Sequence, residues 1–98
     1  MQNDKLKGFL NICRKANYLI IGGEALSNYN KKLYLVLYDS SSKKNTLKIV
    51  EKFSNKGIKT MELDNLDTIL LINNCKIVGI KNKNLSEEIL KICGEEKE

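Results

Sequence analysis

Few residues in this chain of 98 have side chains that suit catalysis or metal binding, and their types narrow the chemistry available. There is no histidine, which removes the commonest general base and the commonest zinc ligand together. Cys13, Cys75 and Cys93 are odd in number and show no CxxC spacing, so they read as reduced thiols packed as small hydrophobes, not as a disulfide framework. Asp39, Glu24 and Cys13 are the candidates for acid, base or nucleophile, but no two of them form a recognisable pair. No catalytic residue, metal site or cofactor is expected. The run Gly22-Gly23-Glu24 precedes a short apolar helix pattern, and N–H groups at such a start can meet a phosphate with no Cβ in the way. It lacks the Lys-Ser/Thr of a nucleotide loop and the spacing of a dinucleotide fingerprint, and a plain turn is the simpler account.

Charge is the stronger signal. The net +5 is uneven: residues 1–59 carry 12 Lys/Arg against 4 Asp/Glu, whereas residues 60–98 carry 5 against 8. Such asymmetry points one side of the molecule at a polyanion, and nucleic acid suits it better than a membrane because no basic amphipathic helix stands alone. A lysine-rich composition that merely keeps the surface soluble explains the same numbers. No export signal or span-length apolar run is present, so a cytoplasmic protein without membrane contact is expected, with residues 1–98 forming one domain.

These residues need a scaffold, and Leu33–Tyr38 is its centre. Six apolar residues in a row, bracketed by lysines and by Asp39-Ser40-Ser41-Ser42, read as a strand covered on both faces. A first helix from an Asp4 N-cap carries Leu6, Phe9, Leu10, Cys13 and Ala16 on one face and ends at Asn17. Residues 18–21 form a brief strand. The Asp-Ser cluster is expected to cap a helix from Lys43 to Lys56, with Leu47, Val50 and Phe53 buried, Ile49 flanking, and Gly57 as its stop. Lys44, Lys48, Lys52 and Lys56 recur every fourth residue along its outside, a stripe that reads first as a solvated face. Residues 58–63 form a strand, Asp64 and Asp67 open a short helix through Leu66, Ile69 and Leu70, and residues 76–80 form the last strand. Asn84 or Ser86 caps a final helix that buries Ile89, Leu90, Ile92 and Cys93 and stops at Gly94. Strict alternation of helix and strand predicts an α/β fold, a three-layer α-β-α sandwich around a small mixed, mostly parallel sheet.

Three segments, LNICRKANYLIIGGEAL, KKLYLVLYDSSSKKNTLKIVEKFSNKGIKT and KIVGIKNKNLSEEILKI, resemble in order and spacing the kink-turn-binding ribosomal protein superfamily (archaeal L-seven-Ae and eukaryotic L-thirty-e), above all its small bacterial YlxQ-like branch. The resemblance implies the same α-β-α fold, no catalysis, and binding to structured, ribosomal-type RNA in the setting of translation. It also implies a reading surface at the start of the second helix, where Gly22 and Gly23 match the family's glycine and small residue. Glu24, Ala25 and Asn28 stand where the family has asparagine, glutamate and lysine. Alanine offers no donor or acceptor to a base edge, and Glu24 brings negative charge near phosphates, so these departures count against kink-turn recognition and leave the fold untouched. The second contact surface implied is the loop before the last strand, here Asn73 and Asn74, either hydrogen-bonding RNA or forming an ordinary turn. The lysines expected to receive phosphate are Lys15, Lys31, Lys32, Lys43 and Lys44. The alternative partner is a ribosomal or translation protein, with this chain as an adaptor that has lost kink-turn recognition.

Overall fold

The computed structural model describes residues 2–70, 72 and 75–96. Helices and strands alternate throughout: α1 (Gln2–Lys15), β1 (Leu19–Ile21), α2 (Gly23–Asn28), β2 (Leu35–Asp39), α3 (Lys44–Asn55), β3 (Lys59–Leu63), α4 (Leu66–Leu70), β4 (Ile77–Ile80) and α5 (Lys83–Glu96). The sheet order is β1-β4-β2-β3. β1, β2 and β3 point the same way and β4 runs against them. Because β4 lies between β1 and β2, two of the three pairings are antiparallel and only β2·β3 is parallel. The sheet is mixed as expected, with parallel strand directions in the majority but parallel pairings in the minority.

Alternation along β2 divides the core. Leu35 and Leu37 face a layer with Leu6, Leu10 and Cys13 of α1, Leu66 and Leu70 of α4, and Ile89 and Ile92 of α5. Val36 faces the other layer, with Leu26 of α2 and Val50 and Phe53 of α3. This is the three-layer sandwich, and β2 is interior to it as the unbroken apolar run predicts. β4 is also buried at every position, and its Gly79 lets α2 lie close: a Cβ there would stand 2.5 Å from Leu26 Cδ2 and 3.2 Å from Leu33 Cδ1. β3 is the edge strand beside β2, and its Lys59 and Glu62 are exposed, charges that discourage pairing with another chain.

Several helix boundaries differ from the sequence reading. α1 begins at Gln2, so Asp4 sits inside the first turn, where its charge suits the helix dipole. Its end is as expected: Asn17 takes φ 63°, and the Tyr18 N–H returns to the Cys13 carbonyl at 2.7 Å. On α3 the buried residues are Val50 and Phe53, with Ile49 half-buried at their flank as expected, whereas Leu47 is 43% exposed. At about 100° per residue, Leu47 lies roughly 90° to one side of a stripe centred between Val50 and Phe53, and Ile49 about 70° to the other, so the contact with the sheet is tilted toward Ile49. Gly57 at φ 87° ends the turn after α3. The α5 cap is Asn82, whose Oδ1 accepts the Leu85 N–H at 2.9 Å, in place of Asn84 or Ser86; Ser86 is buried and donates to the Asn82 carbonyl. α5 continues through Gly94 to Glu96, so glycine does not stop it. The expected inward packing of Cys93 lies outside the described side chains.

Candidate nucleic-acid interface

At one end of the sheet, β1, β2 and β3 finish and β4 begins, so the chain following each of the first three strands meets the chain entering the fourth. The Gly22 N–H donates to the Ile77 carbonyl at 3.0 Å, the Asp39 N–H to the Lys76 carbonyl at 2.8 Å, and the Ser40 N–H to the Leu63 carbonyl at 2.8 Å. The Gly22, Asp39 and pre-β4 segments therefore converge, through Lys76 and Ile77. Asn73 and Asn74 lie outside the described residues.

Asp39 organises this rim. It is buried, and its Oδ2 accepts the Ser41 N–H at 2.9 Å and the Ser41 hydroxyl. Oδ1 accepts the Leu66 N–H at 2.8 Å, and Lys76 Nζ lies 3.8 Å from Oδ2 while donating to Ser41 Oγ at 2.9 Å. Burial works to raise the Asp39 pKa, but the Ser41 hydroxyl, the Leu66 and Ser41 N–H groups and the Lys76 charge prevail and hold it at about 2. The carboxylate thus caps α4, not α3: the α3 N-cap is Lys43, without a side-chain cap. With three hydrogen bonds and a nearby lysine stabilising its ionised form, Asp39 serves as a structural anion that ties the rim together. Burial pushes the Cys13 thiol up, away from the thiolate a nucleophile needs. Glu24 is exposed.

Both rim glycines have local reasons. Gly22 adopts φ 95°, ψ 149°, a conformation open essentially to glycine alone, and it is the N-cap of α2. Gly23 lets α2 approach α3, since a Cβ there would stand 2.8 Å from Ile49 Cδ1. Lys43 and Lys44 follow at the start of α3, both exposed, so Gly22, Gly23, Glu24, Lys43 and Lys44 belong to the rim. Asn28 closes α2 and is exposed.

The remaining lysines of the sequence reading lie at the other end of the sheet. Lys31 and Lys32 precede β2, whose first residue Leu35 pairs with Lys59 and Ile80. Lys15 ends α1 three residues before Tyr18, whose carbonyl accepts the Lys81 N–H where β4 leaves the sheet. One basic edge is thus replaced by two separate groups. Of the second group Lys31 and Lys32, but not Lys15, line a cleft of about 700 Å³, together with Lys56, Lys59, Lys83, Tyr29, Tyr34 and Glu87. Sequence reasoning missed this gathering because its lysines come from three separate stretches, and no linear spacing marks them. Lys32 Nζ lies 5.4 Å from the Tyr34 ring centre, and Lys56 Nζ 5.3 Å from that of Phe53. Among the described side chains, only Lys76 and Lys91 pair with a carboxylate. No group of residues suited to a metal ion occurs among the described residues, and no described helix is long and apolar enough to cross a membrane.

No family model and no curated protein matches the sequence. In structure the chain is similar to a protein with unknown function from Bacillus halodurans C, with a TM-score of 0.78 at 20% identity, covering 92% of this chain and 97% of that one. At that identity the likeness carries the fold alone.

Proposed function

We propose that this protein is a non-enzymatic, cytoplasmic RNA-binding protein working with the ribosome or the translation apparatus. The observation that supports it most is the arrangement of cations: lysines at both ends of the sheet and along the outside of α3, with Lys76 and Lys91 alone paired to carboxylates among the described side chains. The resemblance to kink-turn-binding ribosomal proteins supports the same reading, as does the satisfied, structural state of Asp39. Lysine–phosphate contacts supply most of the affinity. Neutralising about three to five phosphates gives a log K against log salt slope of roughly −2 to −4.

The test is to crosslink bound RNA in cells and sequence it, comparing wild type with Lys43→Glu/Lys44→Glu and Lys31→Glu/Lys32→Glu. Recovery of ribosomal or other structured RNA that falls in either double variant supports the reading. Equal recovery from all three chains goes against it. The second reading, an adaptor for a translation protein, is favoured by the exposed Glu24 and by Ala25 on the surface the family uses for base edges. A partner retained after nuclease treatment selects the adaptor.

A further inference from the structure

We infer that the lysine cleft at the far end of the sheet, together with the outer face of α3, is a track for the phosphodiester backbone of single-stranded RNA; this deepens the RNA-binding reading and rests on it. Five of the cleft's lining residues are lysines, set against one carboxylate, Glu87. Like charges repel even in water, so gathering five around one concavity carries a steady cost that a bound polyanion reverses. Two of the five are held in place before any ligand arrives, since Lys32 lies over the Tyr34 ring and Lys56 over that of Phe53.

The cleft does not stand alone. Lys56 is also the last member of the exposed series Lys44, Lys48, Lys52 and Lys56. Lys44 lies at the rim and Lys56 at the cleft, so the series joins the two ends over about 18 Å of helix. The lysine groups that the sheet separates are thus connected across its α3 face. Glu51 is the single carboxylate on that helix. A duplex is too wide and stiff to follow a convex helix and then turn into a cleft, whereas a single strand bends at each nucleotide, and a cationic groove beside aromatic rings is how such strands are held. The track differs from the rim, where the glycine pair, Asp39 and Lys76 meet.

The test is fluorescence anisotropy of a labelled oligouridylate of about 12 nucleotides, and of an RNA duplex of equal length, over a range of salt. Wild type is compared with Lys56→Gln/Lys59→Gln/Lys83→Gln, Lys48→Gln/Lys52→Gln and, for the rim, Lys43→Gln, all at exposed positions, with circular dichroism confirming the fold. The cleft variant is expected to weaken oligouridylate binding about tenfold or more at roughly 100 mM salt and to make the salt slope shallower by about 2, and the α3 variant by about 1.4. Normal binding by the cleft and α3 variants with loss in the rim variant overturns the track and leaves RNA binding standing. Tighter binding of the duplex overturns the single-strand assignment. If wild type binds neither RNA, the function proposed above falls with the track, and sodium triphosphate binding lost in the cleft variant then identifies a small-anion site instead.

Discussion

The Asp39 carboxylate accepts the Leu66 N–H at 2.8 Å across 27 residues of chain, so the last residue of β2 caps the first turn of α4. The same carboxylate holds Ser41 and lies beside Lys76, so one buried anion ties together the ends of β2 and α4 and the approach to β4. α4 is only 5 residues long and gains little from helix propagation, so it depends on such a cap.

Asp39→Ala leaves the Leu66 and Ser41 donors without their acceptor and is expected to destabilise the protein by about 2 to 4 kcal/mol in urea unfolding. Asp39→Asn keeps an acceptor oxygen and is expected to cost less. Because the carboxyl pKa falls from 3.8 to about 2 on folding, it contributes stability above the unfolded value that is lost as pH falls through the folded one. The wild type is therefore expected to lose about 2 kcal/mol between roughly pH 5 and pH 2 through this group, and Asp39→Asn to lack that component.

Gly79→Ala is expected to cost about 1 to 3 kcal/mol, since the new methyl would meet Leu26 and Leu33, both buried. Leu26→Ala removes one of those contacts. A double-mutant cycle is expected to show the pair costing less than the sum of the singles by at least about 0.5 kcal/mol, and strict additivity would speak against the clash.

The same substitution is expected to have opposite signs at two other glycines. At Gly22, φ 95° makes Gly22→Ala destabilising by about 1 to 3 kcal/mol, although no atom lies within 4 Å of the added carbon. Gly8 is exposed within α1 with equally open space, so Gly8→Ala is expected to stabilise by about 1 kcal/mol. Thermal melts of the two variants read this directly.

Cys13 and Cys75 are buried, and burial is the main cause pushing both thiols up. In a Cys93→Ser background, native protein is expected to leave a thiol reagent unreacted over minutes, and unfolding in guanidinium is expected to release both at once. Rapid reaction of the native protein would mean that one of these core positions opens readily.

Local features were legible where a short stretch decides its own conformation. The helix stops at Asn17 and Gly57 need only a residue that tolerates positive φ, and both positions have it. The interior place of β2 was legible because an unbroken apolar run has no solvent face to present. Leu47 was misread because four apolar residues on α3 allow two neighbouring stripes, and only the sheet beneath chooses between them. The cap of α5 falls at Asn82, ahead of the expected Asn84 or Ser86, because all three are suited to capping as isolated residues.

The sequence by itself determined the order of elements, the two-sided burial of β2 and the excess of lysine in the first half of the chain, since periodicity, propensity and charge are carried by neighbouring residues. Tertiary structure alone decided that β4 enters between β1 and β2 against their direction, that Asp39 caps a helix 27 residues away, and that Lys31, Lys32, Lys56, Lys59 and Lys83 surround one cleft. Each of these depends on which surfaces bury one another when the layers close, and that choice is made by the whole core at once.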